Sequence, residues 1–211
     1  SFIGVGRVVL LMVMLVKVFE SGIFTKRKKE NIKRGDILML FNNKTRLLKY
    51  VTSIVIGMPI WFVVGVLITF SPEFGKALGI TLPIDAGKAV LFAFAGQVAG
   101  NIISGSLSQY LQSRKKVILL FMLASFLFVL IYLLIPVKSP ALLYLISACL
   151  GFCSGYWTLF ITVAAELFGS NLRATVATTV PNFVRATIIP MTAVFLLMKT
   201  NMCIIKSAMV V

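Results

Sequence analysis

The sequence predicts an all-α, polytopic membrane protein, and three observations carry that prediction. Of the 211 residues, 59% are hydrophobic and only 13% are charged, whereas soluble domains are about half apolar and a quarter charged. The mean hydropathy is +1.02, and the apolar residues form blocks close to the roughly 20 residues that a helix needs to cross a bilayer. No segment alternates with a period of two residues, which disfavours a transmembrane β-barrel.

The apolar blocks define the predicted elements in chain order. Residues 1–19 are interpreted as the end of a preceding transmembrane helix, residues 20–49 as a basic cytoplasmic loop and residues 50–211 as a transmembrane bundle. The bundle is predicted to contain spans at 50–70, 89–111, 117–135, 141–167 and 174–198, with a partial span from 201. Short polar, Gly-rich or Pro-rich segments separate these spans. Gly57 and Pro59 predict a kink in the first of the five.

The Lys and Arg residues of the loops predict the orientation of the bundle. Residues 17–49, 114–116 and 173 share one face and hold fourteen basic residues, whereas the loops of the opposite face hold four. The positive-inside rule therefore places loops 20–49 and 112–116 in the cytoplasm. The net charge of +15 comes mostly from basic residues in the loops, which we expect to lie against the surface of the lipid bilayer. No nucleic-acid partner is therefore predicted. We expect a multi-pass protein of the bacterial inner membrane.

The sequence predicts neither an enzyme, nor a cofactor, nor a metal site. It contains no His, and Cys149 and Cys153 have no His or acidic partners that would complete a metal site. A channel should show a repeated pore-lining segment, whereas the polar residues here are scattered over several predicted helices. Transport of a small molecule is therefore favoured. A membrane scaffold, a channel subunit and a membrane enzyme are the alternatives.

Charged residues at predicted helix ends suggest a cytoplasmic gate. Glu166 and Arg173 lie at the ends of two consecutive spans, and Arg114 lies in the other short cytoplasmic turn. An acid and a base at facing helix ends can pair and must separate when the helices part. The alternative is ordinary anchoring of helix ends at the membrane surface.

Two of these segments resemble a known family. GSLSQYLQSRKK, followed by a span, and ELFGSNLRAT after the next span resemble the second half of a major facilitator superfamily transporter. That family carries a loop of the form G-x-L-x-D-x-x-G-R-[KR] and, two loops later, an E-x6-R element. The second element is matched by Glu166 and Arg173. The loop is matched in kind, with one extra residue before the basic pair, by Gly105, Leu107, Arg114 and Lys115.

The sequence departs from the family loop at two positions. Gln109 stands where an Asp is expected, and Ser113 stands where a Gly is expected. The change at Gln109 removes a negative charge from the cytoplasmic gating network that the resemblance implies. A weaker network is therefore expected at that position.

Two further segments narrow the resemblance. FESGIF is similar to the segment that follows the sixth helix in sugar and organic-ion porters, and PNFVRATIIP is similar to an eleventh-helix pattern of metabolite and organic-ion symporters. The resemblance implies the carboxy-terminal half of a twelve-helix transporter, from the end of helix 6 to the start of helix 12, cut inside helices at both ends. It further implies alternating access, a coupled proton and an N-terminal helical half as partner.

Arg185 is the strongest candidate for contact with a substrate. It lies twelve residues after Arg173, which is about 18 Å along a helix and close to the midplane of the bilayer. A charge at that depth usually faces a water-filled cavity or a partner, so Arg185 can hold an anionic substrate or a coupling carboxylate. Asn182, three residues earlier, is expected on the same face. The alternative is pairing of Arg185 with backbone carbonyls or with an acid outside this chain.

Polar and aromatic residues on other spans complete the candidate substrate site. Gln97 and Asn101 lie four residues apart on one helical face, where they can bind a polar substrate or a neighbouring helix. Tyr156 and Trp157 lie deep in their span, and the resemblance implies an aromatic platform beside the substrate. Packing between helices is the alternative for both aromatic residues. Trp61, which follows the predicted kink, is a further candidate for a gating helix.

Overall fold

The computed structural model describes residues 38–135, 137 and 139–211. The first predicted span, the FESGIF segment and most of the basic loop lie outside these residues. In chain order, the α-helices are α1 (Leu38–Phe41), α2 (Lys44–Phe62), α3 (Ser71–Ala77), α4 (Ala86–Tyr110), α5 (Arg114–Leu134), α6 (Pro140–Cys153), α7 (Trp157–Glu166), α8 (Arg173–Ala186), α9 (Ile188–Asn201) and α10 (Ile204–Val210).

The structure confirms the predicted all-α membrane bundle. The described part of the chain contains no strand, and five of its helical stretches are long and apolar enough to cross a membrane. These spans are Lys44–Ile68, Ala86–Tyr110, Arg114–Leu134, Pro140–Glu166 and Arg173–Asn201. The first begins inside the segment that the sequence analysis assigned to the basic loop. The side chain of Asn43 explains this start, because its Oδ1 accepts a hydrogen bond of 2.9 Å from the N–H of Thr45 and caps the helix.

Three of the spans depart from α-helical geometry along their length. The first continues from α2 into a π-helical segment, Val63–Ile68, that begins four residues after Pro59. A 3₁₀ turn, Ser154–Tyr156, separates α6 from α7, and Thr187 separates α8 from α9. Proline removes an N–H donor and crowds the preceding turn, so irregular geometry is expected next to Pro59 and Pro190.

Glycines allow α4 and α6 to pack with their backbones in contact. A Cβ atom added to Gly96 or Gly100 would strike the backbone of the facing helix, and one added to Gly151 would strike the backbone at Ala93. Small residues permit this close approach between membrane helices. The hydroxyl of Ser104 donates a 2.7 Å hydrogen bond to the carbonyl of Gly155 and joins α4 to the 3₁₀ turn. Helices α4 and α6 are therefore closely packed along their length.

Buried apolar side chains form two clusters, one toward each membrane face. The inner cluster, toward the face predicted to be cytoplasmic, includes Tyr50, Phe121, Tyr156, Phe160 and Val184. The outer cluster, toward the opposite face, includes Leu67, Phe74, Tyr132, Leu150 and Phe195. Each cluster joins residues from several spans, because the spans run alternately between the two faces.

Candidate functional site

Three distant parts of the chain bring Trp61, Trp157 and Arg185 together. Trp61 lies near the end of α2, Trp157 begins α7 and Arg185 lies in the last turn of α8. The guanidinium carbon of Arg185 is 5.7 Å from the centre of the Trp61 ring and 5.9 Å from that of Trp157. The two indole rings meet edge to face, with their centres 6.1 Å apart and their planes at 78°. We call these three residues the Arg–Trp site.

The Arg–Trp site holds a positive charge against aromatic faces. Contact between a guanidinium and an indole face is attractive and is worth from about 0.5 to 2 kcal/mol, with the larger values in sites shielded from water. Arg185 is exposed, and the described ion pairs do not include it. Its side chain is therefore held in place by neutral rings and keeps its hydrogen-bond donors available for an anion.

Tyr156 is the last residue of the 3₁₀ turn that precedes Trp157. Tyr156 is only 1% exposed, and its hydroxyl donates a 3.2 Å hydrogen bond to the carbonyl of Ile56 on α2. This bond ties α2 to the turn that carries Trp157. The contacts of Tyr156 fit the packing alternative, whereas Trp157 contacts Phe160 as well as the other two members of the Arg–Trp site.

The amide side chains predicted as substrate contacts have partners within the bundle. Asn101 accepts a 3.1 Å hydrogen bond from the hydroxyl of Thr158 on α7. Asn182 is exposed and donates a 3.0 Å hydrogen bond to the carbonyl of Thr178 on its own helix. Gln97 is half-buried on α4, and no hydrogen bond joins it to the other candidates in the described part of the chain. Asn101 thus acts in this structure as a link between helices.

The predicted cytoplasmic gate contains an ion pair between Arg114 and Glu166. The pair joins Nη1 of Arg114, at the start of α5, to Oε1 of Glu166, at the end of α7. We call it the inner pair. Arg173 is exposed at the start of α8 and takes part in no ion pair among the described residues. Among the described residues, Glu166 of the E-x6-R element is therefore paired with Arg114 and not with Arg173 of the same element.

A second ion pair, at the opposite membrane face, was not found by sequence reasoning. Nζ of Lys199, near the end of α9, pairs with Oε2 of Glu73 on α3. Lys199 also lies 5.9 Å from the centre of the Phe70 ring. We call Glu73–Lys199 the outer pair. The two residues lie far apart in the sequence, and the only available signal was that both were predicted at the same face.

A comparison of the sequence with known families identifies one match. The family model described as the Major Facilitator Superfamily matches residues 1–186, a range that contains the Arg–Trp site and the inner pair. No curated protein and no solved structure matches the chain.

Proposed function

Since this chain belongs to the Major Facilitator Superfamily, and is thus a multi-pass membrane transporter, we propose that it carries a small organic anion by alternating access. Arg185 binds the anionic group of the solute in this proposal. The inner pair, Arg114 and Glu166, closes the cytoplasmic side of the pathway and separates when that side opens. Arg173 is the remaining residue of the proposed gate.

The observation that carries the proposal is the position of Arg185 against two indole rings. The residue lies well inside the Arg173–Asn201 span, where a charge is costly unless it faces a polar cavity or a partner. Its contacts in the described residues are aromatic rather than acidic. An anion bound at the Arg–Trp site supplies the missing negative charge, and a hydrogen bond to a charged group is stronger than one to a neutral group.

The surrounding residues limit the shape of the solute. Trp61 and Trp157 offer flat apolar surfaces beside the guanidinium, and Thr158 on α7 is an exposed hydroxyl already linked to Asn101. Ligand sites typically combine apolar walls with a few polar groups that fix orientation. A small carboxylate with a flat apolar body fits this combination better than a sugar, which would need more hydrogen-bonding groups.

The proposed transport cycle has two further components. A coupled proton is proposed from the symporter resemblance of residues 181–190, and a second helical bundle is proposed as the opposite wall of the cavity. The bacterial inner membrane is the proposed location, because the basic loops give the orientation expected there. An intact mass of the natural protein near twice 23.2 kDa is expected. A measured mass near 23.2 kDa would remove the second bundle from the proposal.

Uptake into proteoliposomes tests the anion site directly. We expect the full natural protein to take up labelled small carboxylates in preference to their neutral amides, and faster with an inward proton gradient. Arg185→Ala should abolish uptake, because no other positive charge contacts the two indole rings in the described residues. Lys76→Ala, which changes an exposed Lys of α3, is the matched control and should retain wild-type uptake.

Each arm of this experiment has a contradicting result. Wild-type uptake by Arg185→Ala, in protein that is inserted normally, would remove Arg185 from the site. Equal uptake of carboxylates and amides would show that the solute is not recognised as an anion. Uptake that ignores the proton gradient would remove the proton from the cycle and leave the anion site standing.

A further inference from the structure

Within the part of the chain that the structure describes, the indole nitrogen of Trp61 is buried without a hydrogen-bond partner. Among the described residues, the same is true of only two other side-chain atoms, the hydroxyls of Tyr50 and Ser71. A buried donor without an acceptor costs about as much as a lost hydrogen bond, and most buried polar groups in proteins are paired. Of these three atoms, only the Trp61 nitrogen belongs to a residue that contacts an intramembrane charge.

The backbone around Trp61 is suited to movement of its ring. Trp61 follows Pro59 by two residues and precedes the π-helical segment Val63–Ile68 by two residues. Wide π-helical turns occur often at functional sites, and Pro59 removes one rung of the α-helical hydrogen-bond ladder. The ring itself is only half-buried, so its exposed edge borders open space while the nitrogen is covered.

The Arg–Trp site contains donors and lacks a facing acceptor. A guanidinium and an indole N–H can only donate hydrogen bonds, and the remaining member of the site, Trp157, adds another indole. A cation or a solute that carries only donors cannot satisfy this set. A carboxylate can, because one oxygen can accept from Arg185 while the other accepts from Trp61.

We propose that Trp61 is a specificity-determining residue whose indole N–H turns toward the bound solute and donates to its carboxylate beside Arg185. This inference deepens the proposed anion transport and rests on it. It also gives the unpaired nitrogen a purpose, since the donor is unsatisfied only while the site holds no anion. A site with a donor reserved for one acceptor rejects analogues that lack the acceptor.

The test removes the N–H without removing the ring. Trp61 is replaced with 3-benzothienylalanine, which has sulfur in place of the indole N–H and keeps both fused rings, in the full natural protein. Benzoate is the probe, benzamide is its neutral counterpart, and affinity is measured by calorimetry. We expect benzoate to bind at least about tenfold more weakly to the variant, the loss expected for one hydrogen bond to a charged group.

Thermal stability gives a second readout that a structural role would move in the opposite direction. Without ligand, the variant should melt at the wild-type temperature or above it, because the change removes an unpaired buried donor. Tyr132→Phe is the matched control, since the hydroxyl of Tyr132 is buried and donates a 3.0 Å hydrogen bond to the carbonyl of Leu67. That control should melt at a lower temperature and bind benzoate as the wild type does.

The results separate this inference from the function on which it rests. If wild-type protein binds benzoate, Arg185→Ala loses it and the Trp61 variant keeps full affinity, the role of Trp61 is wrong while the anion site stands. A lower melting temperature for the unliganded Trp61 variant would show that its N–H has a structural acceptor and would also overturn the inference. If wild-type protein fails to bind benzoate, both the inference and the flat carboxylate substrate fall together.

Discussion

The two ion pairs of the bundle lie at opposite membrane faces and differ in their relation to the helix dipoles. In the inner pair, Arg114 begins α5 and Glu166 ends α7. In the outer pair, Glu73 lies in the first turn of α3 and Lys199 lies in the last turn of α9. A helix stabilises negative charge at its N-terminus and positive charge at its C-terminus. Each outer charge is therefore stabilised by its own helix, whereas each inner charge is destabilised by its own helix.

Because of this difference, the inner pair costs more free energy to separate than the outer pair. All four side chains are partly exposed, with 42% and 47% for the inner pair and 34% and 39% for the outer pair. Attraction within such exposed pairs is worth only about 0–1 kcal/mol. Each charge also interacts with its own helix dipole by about 0.3–1 kcal/mol, unfavourably in the inner pair and favourably in the outer pair. Separation therefore leaves the inner charges at unfavourable ends and the outer charges at favourable ends.

The predicted topology explains why the inner charges oppose their helices. The positive-inside rule selects Lys and Arg at the cytoplasmic face whether a helix begins or ends there. At α5, which begins there, the result is three consecutive bases in the first turn, Arg114, Lys115 and Lys116. Glu166 relieves this accumulation of positive charge. The inner pair therefore offsets an unfavourable charge at the end of each of its two helices.

The largest expected effect comes from exchanging the charges within each pair. Arg114→Glu with Glu166→Arg keeps an inner pair but places each charge at its favourable helix end, so the free energy of unfolding should rise by about 2 kcal/mol. Glu73→Lys with Lys199→Glu does the reverse at the outer face and should lower it by a similar amount. Thermal unfolding of the purified protein in lipid nanodiscs measures both changes.

Neutral variants control for the ion pairs themselves. Arg114→Gln with Glu166→Gln and Glu73→Gln with Lys199→Gln remove each pair without reversing a dipole interaction. If both exchanged variants lose stability relative to these controls, helix dipoles do not distinguish the two faces and the comparison fails. By the same reasoning, the exchanged inner pair should separate at least as readily as the wild-type pair, so transport should not become slower.

A smaller effect is expected from two tyrosines that compare the hydrogen bonds of the clusters. Tyr132→Phe removes the donor to Leu67 in the outer cluster and should cost about 1 kcal/mol, because the bond is buried and lies at the end of the π-helical segment. Tyr156→Phe removes the longer, part-buried bond to Ile56 and should cost less. Chemical or thermal unfolding of the two single variants ranks them.

The tyrosine comparison and the ion-pair comparison predict the larger effect at opposite membrane faces. Loss of a tyrosine hydroxyl should lower the stability more in the outer cluster, although the inner ion pair is the harder one to separate. Equal losses for the two tyrosines would indicate that the π-helical segment needs no external donor at Leu67. A larger loss for Tyr156→Phe would indicate that α2 depends mainly on its inner contacts.

The sequence predicted the number and order of the described spans because both depend on local properties. Hydropathy and length decide whether a segment crosses a bilayer, and neither depends on which helix lies beside it. The start of α2 was harder to predict, because Lys44, Arg46 and Lys49 resemble a loop until the cap at Asn43 is known. The depth of Arg185 follows from the same local arithmetic of rise per residue.

What the sequence by itself determined is therefore an all-α membrane bundle of a transporter family, with one Arg deep in its last described long span. The tertiary structure decided the partners: Arg114 for Glu166, Lys199 for Glu73, and two indole rings for Arg185. Side chains separated by tens of residues meet only after the helices have packed, and that packing depends on close contacts such as those at Gly100 and Gly151. Hydropathy does not determine which helix faces pack together, so these partners could not be predicted from the sequence.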